Sequence, residues 1–538
     1  MKAAFRVIQA AFFFGVIASS SHSGLNCCME KIGTVYLVGA GPGDAGLFTL
    51  RGAELLKRAE VVVYDALVNQ DLLRLAPKSA ELIYGGKRSK DHAIPQEELN
   101  QLLVKKAREG KIVVRLKGGD PYIFGRGGEE AEELAQAGIP FEVVPGVSSI
   151  TAATNYAGIP ITHRDFCSSF TVLTGHEDPT KGSSNLDWAH LAKDRGTKII
   201  LMAVERIEQI AEKLIEHGMP PETPVGMVRW GTTGKQQSIQ GTLESIGARV
   251  KETGFGSPAI TVVGEVVKLR KNLNWFEKRP LFGQRVVVTR TREQSSELTA
   301  RLNELGADVL EIPTIQITAP DRKEDLKDAL LGLHEYNWIV FTSPNGVTTF
   351  FDYFFKVFDD LRDLGGVRIA AVGPATAAKL KELHLKVDVM PEEYVAGKVA
   401  EAMAAEESVE NLRVLLMRAE VANRDLPRKL EEMGAIVDDV ASYKTVPSTD
   451  DLNGAVARLM DTGAEWITFT SSSTVENFNA RIPLAGLLKK FPELKTVSIG
   501  PETSKALKAL GLEPSVEART HTIAGMIDSV LKQSRKRP

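Results

Sequence analysis

Short apolar runs, each closed by glycine or proline, punctuate the chain from Thr34 onwards. The first stretch reads TVYLV, then the turn GAGPGD, then LFTLRGAELLKRA with apolar residues at helical spacing, then VVVYD. Strand, glycine-rich turn, helix and strand in that order predict the opening of a parallel α/β unit. KIVVRL predicts another buried strand, followed by the turn KGGDP and a helix beginning near Glu129, and FEVVPG closes this half. FTVLTG, TKIILMAV, TPVGMVRW and SPAITVVGEVV predict a second sheet between about Pro145 and Leu269. The segment KLRKNLNWFEKRPLFG is polar and basic, contains Pro280 and ends in Gly283, and reads as a short interdomain linker.

Past that linker the chain repeats itself. GQRVVVTRTREQSSELTARLNELGADV from Gly283 is echoed by NLRVLLMRAEVANRDLPRKLEEMGAIV from Asn411. WIVFTSPNGVTTFF from Trp338 returns as WITFTSSSTVENF from Trp466, and the Gly373-Pro374 segment returns at Gly500-Pro501. Three matched segments in one order at a near-constant offset mean an internal duplication, hence two similar α/β lobes with a cleft between them.

Composition narrows the picture. A length of 538 residues is too great for one core, and 43% hydrophobic with 25% charged residues suits a globular protein. A net charge of −3 gives no basic field for nucleic acid, so an anionic ligand needs a local basic patch. The cysteines are Cys27, Cys28 and Cys167, with no C-x-x-C pair and no histidine spacing suited to a metal, so neither a disulfide framework nor a metal site is expected. That usage fits a reducing, cytoplasmic setting. Residues 1–28 point elsewhere: Lys2 and Arg6 precede an apolar run from Ile8 to Ala18 and small residues up to Cys27. They form either a signal-like extension or a start placed ahead of a true first residue at Met29. The run is too short to span a membrane comfortably.

The turn Gly39–Asp44 has two readings from its residues alone. G-x-G-x-G, with Asp65 ending the next strand, imitates the dinucleotide turn of an NAD-dependent oxidoreductase and its ribose-binding acid. Against this, the third glycine falls one place early, and Pro42 removes a backbone donor that a phosphate cradle would use. An exported two-lobed binding protein is a further alternative, motivated by the N-terminus and the duplicated lobes.

VGAGPGD (38–44), GDPYIFGRGGEE (119–130), VVPGVSSITAA (143–153) and AGIPITHR (157–164) together resemble the uroporphyrinogen-III C-methyltransferases of the tetrapyrrole methylase family. Gly86-Lys87-Arg88, Gln96-Glu97-Glu98 and Gly231-Thr232 extend that resemblance over nearly all of residues 33–272. It implies S-adenosyl-L-methionine as cofactor, with contacts at Pro42, Gly118, Gly119, Asp120, Ile123, Ser148, Ser149, Met202 and Gly231. Asp120 suits a ribose hydroxyl or an ammonium, or simply caps its turn. Asp65 and Lys87 match the family's proton acceptor and donor, although Lys87 and Arg88 could equally bind substrate carboxylates. Arg88, Arg115, Lys117, Arg126 and Arg164 are candidate carboxylate clamps. Two departures stand out: Ala203 replaces the usual glycine after Met202, and Ser148-Ser149 stand where Thr-Ala is common.

The duplicated region resembles uroporphyrinogen-III synthase over about residues 284–534, best at VVVTR, FTSPNGV, ASYKTV, FTSSSTVENF and IGPETSKAL. The resemblance implies a chain that crosses between lobes twice, with Tyr443 at the second crossover as the candidate acid or an edge tyrosine packing the hinge. Ser343, Ser471 to Ser473 and Thr503 are candidate donors to substrate carboxylates, and the serines also suit helix capping. The expected architecture is α/β throughout. A two-domain methylase (29–144 and 145–272), a linker (273–283) and a duplicated two-lobed synthase (284–535) follow the extension 1–28. Small-molecule tetrapyrroles are the expected partners, with a homodimer through the methyltransferase and neither nucleic acid nor membrane. The implied reactions cyclise hydroxymethylbilane and methylate uroporphyrinogen III twice to precorrin-2, on the sirohaem and cobalamin route.

Overall fold

The computed structural model describes residues 32–86, 94–176, 186–290, 292–393, 396–448, 451 and 454–534. Its first sheet holds β1 (Thr34–Gly39), β2 (Val61–Tyr64), β3 (Glu81–Tyr84), β4 (Ile112–Lys117) and β5 (Phe141–Val144) in the order β3-β2-β4-β1-β5. Every pairing is parallel, and alternation sends neighbouring residues into different cores. Val61 and Val63 pack with Leu99 and Leu103 of the helix Gln96–Arg108 and Leu134 of the helix Gly127–Gln136. Val62, between them, packs with Leu55 and Leu56 of the helix Leu50–Leu56. Burial on both faces is why these strands read as unbroken apolar runs.

The chain forms two compact units that divide at Ser148/Ser149. In the second unit, β6 (Phe170–Thr174), β7 (Thr197–Leu201), β8 (Pro224–Arg229), β9 (Gln237–Thr242) and β10 (Ala259–Val263) lie in the order β6-β7-β10-β8-β9. Only β6 and β7 pair parallel; the other pairings are antiparallel. One face carries the helix Ile207–Glu216, and the other carries Ile150 and Ala153 of the helix Ser149–Tyr156.

Two further sheets follow, built from β11 (Arg285–Val288), β12 (Asp308–Glu311), β13 (Ile315–Thr318), β14 (Trp338–Phe341), β15 (Arg368–Ala371), β16 (Arg413–Ala419), β17 (Ile436–Pro447), β18 (Trp466–Phe469), β19 (Lys495–Ser498) and β20 (Val516–Glu517). The outer lobe has the order β12-β11-β18-β19-β20 and the middle lobe β13-β17-β16-β14-β15. The chain thus leaves the outer lobe after β12 and returns at β18, which is the expected double crossing. At the crossover the end of β17 turns from its parallel partner β16 to pair antiparallel with β13, through Lys444–Pro447.

The segment read as a linker is packed rather than loose. Phe276 and Leu281 are buried, Tyr156 meets Trp275 and Phe276 at ring separations of 5.0 and 4.8 Å, and Arg279 stacks on both of those rings. Glu277 accepts from Gln236 Nε2 at 3.0 Å and Ser238 Oγ at 2.7 Å, and pairs with Arg270. Beside it, Gly234 lies so close to Ala307 that an added Cβ would stand 2.1 Å from the Ala307 carbonyl oxygen. Asp308 binds Arg285 and Arg458 at 2.8 and 2.7 Å there, and Lys235 covers Trp230 at 4.4 Å. Burial, reinforced by Arg458, pushes the Lys235 ammonium below its usual range.

Candidate functional site

In the first unit three loops meet where β4, β1 and β5 end, the edge at which α/β sheets hold ligands. Gly39 and Gly146 touch backbone to backbone: a Cβ on Gly39 would lie 2.5 Å from the Gly146 Cα, and one on Gly146 would lie 2.2 Å from the Gly119 oxygen. Gly119 donates to the Gly41 carbonyl at 2.8 Å, and Gly41 donates to the Gly119 carbonyl at 3.2 Å. Gly119 itself has φ +69°, and a Cβ there would meet nothing within 4 Å, so its face is open for a ligand to approach the backbone. Pro42, Gly118 and Ser148 are half-buried around these loops, and Ile123 is 38% exposed. Asp120 takes the capping role: its carboxylate accepts from Tyr122 N at 2.9 Å and from Gly146 N at 3.1 Å, tying two of the loops together.

Asp65 follows β2, with Arg115 Nη2 2.6 Å from its Oδ1. Arg115 and Lys117 need correction as carboxylate clamps. Both side chains are about 3% exposed and turn toward the face covered by the helices Gln96–Arg108 and Gly127–Gln136, where Glu130 binds them at 3.2 and 2.7 Å. Burial lowers the Lys117 pKa, with Arg115 adding to the effect. Glu130 is the residue that sequence reasoning passes over, although it ends the motif GRGGEE. Arg126 remains exposed at the head of the helix Gly127–Gln136 and chelates Glu129, which raises its pKa. Lys87 and Arg88 lie outside the described residues.

In the second unit, Ser149 opens the helix Ser149–Tyr156. Met202, just past β7, is 48% exposed with φ +55°. Such a backbone costs on the order of 1 kcal/mol in a non-glycine residue, and it thrusts an apolar side chain outward. Ala203 is wholly buried, so the departure from glycine meets the core and not the surface. Gly231 is also buried, against Ala153 of that same helix, and Arg164 is exposed in the turn between His163 and Cys167.

In the middle lobe the Tyr443 hydroxyl lies 3.0 Å from Ser343 Oγ, and Tyr443 is buried. A bulge places it there. The β16–β17 register skips Ser442, whose hydroxyl donates to the Arg418 carbonyl at 3.1 Å, and so re-aims the next side chain. Ser343 caps the helix Pro344–Val357 by accepting from Gly346 N at 3.1 Å. In the outer lobe Ser471 caps the helix Ser472–Arg481 reciprocally with Thr474 and lies 3.0 Å from Ser473 Oγ, while Ser472 donates to the Glu502 carbonyl. Thr503 is corrected: in the first turn of the helix Pro501–Ala509 it is only 3% exposed and offers a ligand almost no surface. Among the described residues no three His, Cys, Asp or Glu side chains gather as metal ligands, and no helix is long and apolar enough to cross a membrane.

Fold and site together define an α/β protein in two parts, a pair of α/β domains with an open backbone cradle followed by a duplicated two-lobed α/β region. Family models match on both sides: tetrapyrrole (corrin/porphyrin) methylases over residues 34–247 and uroporphyrinogen-III synthase HemD over residues 296–528. A Ruminiclostridium josui protein described as porphyrin biosynthesis protein HemD is 42% identical over 502 residues, covering 93% of this chain and 98% of its own. The uroporphyrinogen-III C-methyltransferase of Bacillus subtilis (strain 168) is 41% identical over 362 residues, 67% of this chain and 74% of its own. A crystal structure of the Thermus thermophilus uroporphyrin-III C-methyltransferase complexed with S-adenosyl homocysteine is 41% identical and covers 44% of this chain and 100% of its own, with a TM-score of 0.37. The chain belongs to these families: it is a tetrapyrrole methylase, an S-adenosylmethionine-dependent methyltransferase, fused to a uroporphyrinogen-III synthase. That membership displaces the nicotinamide-enzyme reading of the first turn.

Proposed function

We propose that the C-terminal lobes cyclise hydroxymethylbilane to uroporphyrinogen III, and that the N-terminal domains methylate this product twice to precorrin-2, for sirohaem and corrinoid synthesis. The observation that carries the reading is the fusion itself: one part's product is the other part's substrate, and the two family matches stand side by side in one chain, over residues 34–247 and 296–528.

S-adenosylmethionine, when bound, supplies an activated methyl group with a neutral thioether as leaving group. The residues fit such a ligand. In the first unit the open backbone at Gly119 admits close approach, exposed Ile123 offers apolar surface, and Asp120 keeps the loops in register, with Pro42, Gly118 and Ser148 as further candidate contacts. The second unit's candidate contacts are Ser149, exposed Met202 and Gly231. Methylating a pyrrole carbon leaves a cation that must lose one proton, and Asp65 accepts it. Lys87 joins Arg88, Arg126 and Arg164 in holding substrate carboxylates. In the synthase, the Tyr443 phenol protonates the departing hydroxyl, so that the C–O bond breaks with loss of water. Ser343 holds the phenol in place, and Ser471 donates to a substrate carboxylate. A cytoplasmic location and a homodimer through the methyltransferase accompany this reading; fractionation and sedimentation test them.

The deciding experiment is an anaerobic assay of the purified chain with hydroxymethylbilane, with and without S-adenosylmethionine. Type-III uroporphyrinogen without cofactor and a dimethylated product with it are expected. Type-I product in both tubes would remove the synthase, and type-III product that never gains methyl groups would remove the methyltransferase. Asp65→Asn should abolish methylation and leave cyclisation unchanged.

A further inference from the structure

Four charged side chains run inward from the first site in alternating sign. Asp65, its side chain 31% exposed, meets Arg115 at 2.6 Å, and the Arg115 Nε meets Glu130 Oε1 at 3.2 Å. The same Oε1 accepts from Lys117 at 2.7 Å and from Gln96 Nε2 at 3.1 Å. Glu130 is wholly buried, and among the described residues its Oε2 has no hydrogen-bond partner. Nothing about stability calls for this arrangement, because buried ion networks of this kind seldom outperform apolar packing of the same volume. The carbonyls of Val63 and Leu116 lie 3.5 Å from Arg115 Nη1, at the limit of a hydrogen bond, so the two carboxylates carry its orientation.

Resting on the reading of Asp65 as proton acceptor, we propose that Glu130 is a positioning residue for methyl transfer: it holds the Arg115 guanidinium so that one arm orients the Asp65 carboxylate. A planar guanidinium can bridge two carboxylates at fixed angles, whereas an ammonium cannot. The alternation of β4 puts Arg115 and Lys117 on one face, and the helix Gly127–Gln136 brings Glu130 over that face. Glu130 therefore reaches Asp65 through Arg115, which contacts both carboxylates.

A double-mutant cycle on the full chain tests this. Glu130→Gln should lower the methylation kcat about tenfold, the scale of one lost charge-assisted hydrogen bond, with KM for S-adenosylmethionine and the cyclisation rate unchanged. Arg115→Lys should lower it at least as much, and adding Glu130→Gln to Arg115→Lys should then cost less than twofold. Should Glu130→Gln alone misfold, the charge-balanced pair Lys117→Met with Glu130→Gln replaces it in the cycle, with the same loss expected against Lys117→Met. Wild-type turnover in folded Glu130→Gln, or fully additive losses, would overturn the proposal. Asp65→Asn separates the two failures. If it retains methylation, the acceptor reading falls and takes this one with it; if it is inactive while Glu130→Gln is wild-type, only Glu130 falls.

Discussion

In the middle lobe Trp338 opens β14 fully buried and donates to Glu407 at 2.9 Å; in the outer lobe Trp466 opens β18 just as deeply and donates to Gln284 at 2.7 Å. Phe341 meets Phe350 edge-on at 5.4 Å, and Phe469 meets Phe478 edge-on at 5.8 Å. Arg368 covers the first tryptophan and Lys495 the second. Each strand then delivers a serine that caps the next helix. Ser442 and Thr314 correspond as well, each giving its hydroxyl to a carbonyl of the neighbouring chain segment. The frames part at the next residue. The register that aligns Gly434-Ala435 with Gly306-Ala307 sets Ile315 where the middle lobe has Tyr443. Duplication therefore copied what holds a lobe together, while an ionisable hydroxyl at the crossover is present in one copy only.

The largest effect should test the shared frame. Trp338→Ala and Trp466→Ala each empty a fully buried site and should cost about 3–5 kcal/mol, read from chemical denaturation of the full chain. Costs that differ by more than the scatter between buried sites would mean the lobes are alike in outline only. The second test concerns the difference. Tyr443→Phe should slow cyclisation about 10²-fold, as the loss of a general acid does, and leave methylation of supplied uroporphyrinogen III unchanged. Ile315→Tyr added to that variant should not restore the rate, because Ile315 opens β13 opposite Pro447 and does not follow a bulge as Tyr443 does. Cyclisation at the wild-type rate in Tyr443→Phe would leave the asymmetry without catalytic meaning.

Much of this frame is legible before any coordinates. Apolar runs with glycine-rich ends announce buried parallel strands, and the Trp338 and Trp466 segments announce the duplication. What escapes is charge that faces inward. In KIVVRLK the alternation of Val113, Arg115 and Lys117 puts all three on one face, yet an isolated strand cannot say that a helix will bring Glu130 over that face. The packed segment after Leu273 escapes for a related reason. Lysines and arginines there outvote Trp275, Phe276 and Leu281 in any average, although these three residues decide that it is held down. Burial at Thr503 is equally hidden, since the third position of a helix reads alike whether it faces a ligand or a core.

The finest test separates capping from chemistry. Ser343→Ala and Ser471→Ala each remove an N-cap and should each cost about 1 kcal/mol in stability, so denaturation alone should not tell the lobes apart. Kinetics should. Ser343 also lies 3.0 Å from the Tyr443 hydroxyl, whereas the Ser471 hydroxyl has Ser473 at the same distance. Ser343→Ala should therefore lower the cyclisation kcat, by loosening the acid. Ser471→Ala should raise KM for hydroxymethylbilane with kcat little changed, by removing a donor to a substrate carboxylate. Equal effects on kcat from both serines would place the acid's support in helix capping, which the lobes share, and not in the contact that only one of them makes.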